Sequence, residues 1–207
     1  MALSRVGACL GQVVFSSQVT RLGTTALAAH SLALTAEQAF YIPGYGMQAA
    51  AATLCGNALG AGDGKRLASV ARTSICMAAG VMAATGALLF LFPGFMMSIF
   101  TPDEEVIALG QNVLRIVAVS EPVFGASIIL EGVFDGIGDT RTPLVISIAT
   151  MWGVRILATY VCVNWLHLGL TAVWCCMVAD NVARGALLSA RYVRGRWKQS
   201  VGLEEAG

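Results

Sequence analysis

Charge is scarce in this chain. Only 12% of its residues are Asp, Glu, Lys or Arg, against 57% hydrophobic residues and a mean hydropathy of +0.72. A soluble domain carries about 25% charged residues, so this chain has too little charge to cover a water-facing surface. Nor could 207 residues hide so much apolar mass in one soluble core. The net charge of +1 supplies no basic field for nucleic acid, so no nucleic-acid partner is expected. The two histidines, His30 and His167, have no ligand spacing around them, and metal sites need clustered ligands. Six cysteines are present, none of them in a C-x-x-C pair. All lie in apolar runs and read as small buried hydrophobes rather than as a disulfide or zinc set.

What remains is apolar sequence in lengths that fit a bilayer, at about 20 residues per span. The patterning predicts an all-α integral membrane protein, a six-transmembrane-helix bundle, with the lipid bilayer as its solvent. Spans are expected over about 2–20, 28–59, 67–92, 110–134, 143–166 and 168–192. Residues 1–198 form one transmembrane unit and 199–207 a polar tail. The opening stretch superficially resembles a signal peptide, but further apolar spans follow at once, so it reads as the first helix. The second span is overlong, and Pro43-Gly44-Tyr45-Gly46 is expected to break it. Thr101 or Asp103 is expected to cap the fourth, with Glu104 and Glu105 in its first turn. Gly7/Gly11, Gly56/Gly60 and Gly132/Gly136 have the spacing that lets membrane helices approach closely.

Charge also sets orientation. One set of turns and termini collects Arg5, Lys65, Arg66, Arg72, Arg141, Arg191, Arg194, Arg196 and Lys198. The opposite set holds only Arg21 among basic residues, with Asp103, Glu104 and Glu105. Basic loops stay in the cytoplasm, so both termini are expected there, in a multi-pass protein of the cell membrane.

Seven ionisable residues remain within the spans: Glu37, Arg115, Glu121, Glu131, Arg155, Asp180 and Arg184. Each costs a few kcal/mol or more in hydrocarbon, so each is expected to face a partner or a water-filled cavity. A rise of about 1.5 Å per residue puts Glu121 roughly 25 Å and Arg155 roughly 21 Å from the turn that joins their helices. That matching depth predicts a Glu121–Arg155 ion pair. Asp180 and Arg184 stand i, i+4 on one helix in the favourable order, and are expected to form a buried structural pair. Arg115 reads as an interfacial anchor, and Glu131 as a residue facing the headgroups. Glu37, six residues before Pro43, and Glu121, followed by Pro122, are the candidates for proton or cation coupling, since such sites gather at helix breaks. Tyr41, Met47, Gln48, Trp152 and Arg155 are the candidates for a substrate cavity, with Tyr45 beside them.

Enzyme motifs fail. The turn from Gly60 to Arg66 lacks the glycine six residues before Lys65 and the Ser or Thr after it that a phosphate loop needs. The turn from Asp135 to Arg141 has no further acid before Asp180 to complete a metal site for phosphotransfer. No catalytic residues, no metal and no cofactor are expected.

Several motifs, in order along nearly the whole chain, resemble the multidrug and toxic compound extrusion (MATE) family. They are Pro43-Gly44-Tyr45-Gly46, Leu59-Gly60-Ala61-Gly62-Asp63, and Gly132-Val133-Phe134-Asp135-Gly136-Ile137-Gly138-Asp139-Thr140 with Pro143. Ala28-Ala29-His30, Ser120-Glu121-Pro122, Met151-Trp152-Gly153-Val154-Arg155 and the closing Gly195-Arg196-Trp197-Lys198 join them. The resemblance implies one lobe of a two-lobed, twelve-helix fold, the C-terminal one. It also implies a secondary antiporter, coupled to proton or sodium flow, that exports organic-cation or amphipathic compounds through a cavity between lobes. A second six-helix lobe, or a homodimer, would complete that cavity. The sequence departs from the family where Asp135 replaces a common arginine, and where Ala8 and Phe124 stand at positions that carry acids in some members. The alternatives are a lipid or polysaccharide flippase-like transporter, or a non-transporting helical fragment or assembly partner.

Overall fold

The computed structural model describes the backbone of residues 2–195, with side chains from residue 10 onward. The side chains of Arg5, Gly7, Ala8 and Cys9, and all of Arg196, Trp197, Lys198 and the tail 199–207, lie outside the described residues. The rest is helical, with no strand among the described residues. The helices are α1 (Ala2–Thr20), α2 (Thr24–Gly60), α3 (Gly64–Leu91), α4 (Pro93–Ser98), α5 (Glu104–Gly136), α6 (Arg141–Thr150), α7 (Leu157–Asn164) and α8 (Leu170–Val193). A π-helical turn, Met151–Ile156, joins α6 to α7 without a break.

The stretches between helices contain ordinary stop and start chemistry. Asp63 caps α3 by accepting from the Arg66 amide at 2.8 Å. Asp103 caps α5 by accepting from the Glu105 and Val106 amides, and this satisfies donors that the first turn leaves unpaired. Gly62 and Gly138, with φ of 68° and 84°, close two turns in the left-handed region that a side chain would disfavour.

The structure corrects the sequence reading of the second span. Pro43 does not break it; α2 runs unbroken through Pro43 and Gly44 to Gly60. Proline removes one donor but leaves the rest of the ladder in place, so a membrane helix flanked by neighbours tolerates it. The cost is one backbone carbonyl, at Ala39, without its usual N–H. The same holds for Pro122 inside α5. Its freed carbonyl, that of Ala118, lies against Gly86 of α3, where a Cβ would approach it to 2.8 Å. The short α4 was not foreseen.

α5 is the central helix. It packs against α2, α3 and α8, and it is buried along most of its length. Its contact with α2 is backbone to backbone. A methyl group on Gly132 would collide with the carbonyl of Gln48, one on Gly136 with the carbonyl of Ala52, and one on Gly56 would meet the carbonyl of Gly136 at 3.1 Å. Gly136→Ala is therefore expected to destabilise the fold by about 1–3 kcal/mol, since neither carbonyl can move without its helix. Thermal unfolding of the purified chain in detergent, beside the control Gly46→Ala, where a Cβ meets nothing within 4 Å, checks this.

Three helical segments are long and apolar enough to cross a membrane by length and composition: Gly64–Leu91, Glu104–Gly136 and Arg141–Asn164. The apolar interior forms two large clusters. One gathers around Phe15, Leu114, Val117 and Trp174, the other around Leu67, Ile129, Phe134 and Leu188. Tyr41, Met82, Phe124 and Ile128 form a smaller cluster of their own.

Candidate functional site

A cleft of about 520 Å³ opens among α1, α2, α5, α8 and the π turn. Gln12, Leu34, Glu37, Gln38, Tyr41, Ile42, Tyr45, Phe124, Arg155, Met177, Asn181 and Arg184 line it. Two groups of polar side chains meet there.

The first group is acidic. Glu37 and Tyr41, one turn apart on α2, are both buried, and the Tyr41 hydroxyl donates to Glu37 Oε1. The Tyr41 ring lies 4.5 Å from that of Phe124 and edge-on to Tyr45 at 6.3 Å, centroid to centroid. Glu121, on α5 one turn before Phe124, is fully buried. It is within electrostatic range of Glu37 and Tyr41, and neither of its oxygens has a hydrogen-bond partner in normal geometry. No ion pair with either glutamate is present among the described residues.

The second group is an ion-pair chain. Arg155 Nη2 lies 2.8 Å from Asp180 Oδ2 and donates to Asn181 Oδ1 at 3.3 Å. Arg184 Nη2 approaches the same Asp180 oxygen at 3.3 Å, and Arg184 Nη1 lies 3.7 Å from Glu131 Oε1. Phe15 packs under the Arg155 guanidinium, 5.6 Å from carbon to ring centroid, within the range at which a ring face attracts a cation. The chain holds two arginines and two acids, so its formal charges cancel. The acidic group makes no ion pair of its own among the described residues, although Arg155 lies within electrostatic range of Glu37.

The expected Glu121–Arg155 pair does not form, because Arg155 turns to α8. The two residues match in depth, but depth does not fix direction around the helix axis. The π turn that carries Arg155 packs on α8 and α1, and α5 makes only slight contact with α6. Asp180 and Arg184 do stand together, but as the middle of a longer chain. Glu131 turns inward to Arg184, not to headgroups. Arg115 is exposed.

Among the residues named from sequence, Glu37, Tyr41, Tyr45, Phe124, Arg155 and Arg184 line the cleft. Glu121 is sealed behind that wall. Met47, Gln48 and Trp152 stand elsewhere. Met47 packs on the cluster around Ile129 and Phe134, Gln48 lies against Gly132, and Trp152 is exposed. Gln12, Gln38, Met177 and Asn181 went unnoticed in the sequence. Asn181 had a signal, since it follows Asp180 directly in an apolar helix; the others had none.

The MatE family model matches residues 1–161. A probable multidrug resistance protein NorM from Thermotoga maritima is 26% identical over 189 residues, covering 91% of this chain and 41% of the relative. The protein of that name from Brucella suis is 29% identical over 181 residues, covering 84% and 38%. Two solved structures share the fold. A MOP superfamily transporter from Pyrococcus furiosus superposes with a TM-score of 0.87 at 21% identity, over 98% of this chain and 45% of that one. An outward-facing multidrug resistance MATE family transporter gives 0.87 at 21% identity, over 95% and 45%. The chain thus spans less than half the length of the proteins it resembles.

Proposed function

The chain belongs to the MatE family, and from that premise we propose that it serves as one six-helix lobe of a cation-coupled antiporter exporting organic-cation or amphipathic compounds. The observation that carries this reading is the buried acid pair, neither member of which forms an ion pair among the described residues. Two carboxyl groups on different helices, buried beside one another at a cleft, invite a proton or a monovalent cation. Tyr41 is held between them in range of both. A buried charge without a partner is costly, so the lobe is more stable when protons or a cation neutralise the pair. A lipophilic cation entering the cleft competes for the same charge, which is the physical basis of exchange.

In this assignment Glu37 and Glu121 are the coupling groups, with H+ or Na+ as the coupling ion. Tyr41, Tyr45 and Phe124 form the aromatic wall of the substrate path, and the Arg155–Asp180–Arg184 chain is its rigid back. No further cofactor enters. The flippase alternative needs a basic cavity, and both cleft arginines are already matched by Asp180 and Glu131. The basic turns and tail put both termini in the cytoplasm of a cell-membrane protein. A second six-helix lobe, or a second copy of this chain, closes the open side of the cleft.

The test is efflux of a fluorescent lipophilic cation from proteoliposomes, with and without an imposed pH or sodium gradient. Gradient-driven efflux by this chain alone is expected if copies pair. Efflux only after fusion to a MatE-family N-terminal lobe supports the half-transporter reading equally. Folded protein that moves no cation in either form, under either gradient, overturns the proposal.

A further inference from the structure

The α7–α8 end of the bundle contains a feature that the cleft does not use. Cys162 is in the last turn of α7, and Cys176 in the second turn of α8. Their sulfur atoms lie 3.7 Å apart. Both are free thiols, Cys162 half-buried and Cys176 buried. They line a second groove, of about 540 Å³, together with Ala158, Gly169 and Ala179. Cys175 faces the same groove and is exposed, but the sulfur contact between helices joins Cys162 to Cys176.

We propose that Cys162 and Cys176 are an oxidant-responsive thiol pair that closes to a disulfide between α7 and α8. Bond formation needs the sulfurs to move from 3.7 Å to about 2.05 Å, a change that side-chain rotation on two adjacent helices supplies. The oxidant is a hydroperoxide. One thiolate attacks a peroxide oxygen, the O–O bond breaks, and a sulfenic acid and a water form. The second thiol attacks that sulfur, the S–O bond breaks, and its oxygen leaves as a second water. Two thiols and one hydrogen peroxide thus give one disulfide and two waters. The small residues around the pair leave room for peroxide to enter, and the sulfur already in contact across the two helices is the one placed to attack the sulfenic acid ahead of Cys175.

The bond has a structural consequence. Arg155 precedes Cys162 by seven residues, and Asp180 follows Cys176 by four. Oxidation therefore ties together the two helical segments that carry the Arg155–Asp180 ion pair, from a point one to two turns away. The orientation proposed above puts this turn on the non-cytoplasmic side, where disulfides persist. The thiol chemistry is read on the purified chain and stands or falls apart from that orientation and from transport.

The experiment treats the full chain in detergent with hydrogen peroxide, quenches, blocks remaining thiols with a maleimide, and maps peptides without reduction. The expected product is a chain lighter by two hydrogens, with Cys162 and Cys176 in one cross-linked peptide, reversed by dithiothreitol, and with a raised unfolding temperature. Cys162→Ser and Cys176→Ser each abolish the cross-link, and Cys175→Ser leaves it intact. A bond from Cys162 to Cys175, a bond between chains, or sulfinic acid on either thiol without a link would overturn the assignment. The parent chain's own peptide map decides the matter even if a serine variant fails to fold.

Discussion

Asp180→Ala is expected to destabilise the folded chain by about 3–5 kcal/mol, because it strands two charges at once. Asp180 is fully buried and its Oδ2 is shared by Arg155 and Arg184, at 2.8 and 3.3 Å. Arg155 keeps Asn181 and the face of Phe15, neither of which neutralises it, and Glu37 only at longer electrostatic range without an ion pair. Arg184 retains Glu131 at 3.7 Å, so the greater penalty falls on Arg155. Denaturant titration of the purified chain in detergent measures the loss. A second replacement, Arg155→Met, should recover part of it, since an apolar side chain of similar length leaves no orphan charge behind. If Asp180→Ala unfolds at the parent's midpoint, the ion-pair chain contributes nothing to stability.

The largest functional effect is expected at Glu121. In a gradient-driven preparation, whether this chain or its fusion to a second lobe, Glu121→Gln should abolish proton- or sodium-coupled efflux while leaving expression and folding intact. Glutamine has the shape of glutamate, so packing against Gly86 is preserved. It cannot carry the charge that a proton or cation must neutralise. Replacing an uncompensated buried carboxylate by a neutral isostere also removes a desolvation cost, so the variant should unfold no lower than the parent. That pairing of lost efflux with unchanged stability separates a coupling role from a structural one. Coupled efflux at the parent's rate would remove Glu121 from the mechanism and leave Glu37 to act alone.

How far the sequence leads is best seen in four residues. Glu37 and Tyr41 stand i, i+4 on one helix, and that spacing alone places both on one face; the cleft needed only to be opposite it. Arg155 was legible as a buried cation in need of a partner, but not as the partner of Asp180. Helical rise gives depth, whereas azimuth depends on which helices pack together and on a π turn that shifts every later residue. Trp152 shows the same limit from the other side. It lies within the π turn, yet it faces outward while Arg155, three residues on, faces the cleft. The helical membrane class was legible because scarcity of charge is a property of the whole chain. The unbroken passage of α2 through Pro43 was not, because tertiary packing decides whether a missing hydrogen bond becomes a break.

The π turn has one more implication, in terms of insertions and deletions. A π turn accommodates one more residue than an α-helix would need over the same rise. Deleting a single residue within Met151–Ile156 would let the segment relax to plain α-helix with little change in the bearing of α6 relative to α7, whereas the same deletion in regular α-helix turns one side by about 100° relative to the other. The helix α7 would then keep its present bearing on α8, and only residues inside the turn, Arg155 among them, would be re-aimed. Relatives one residue shorter in this stretch should therefore keep the packed faces of both flanking helices and differ only in where the arginine of the turn points. Single-residue indels elsewhere in α6 or α7 have no such relief and should be tolerated less well.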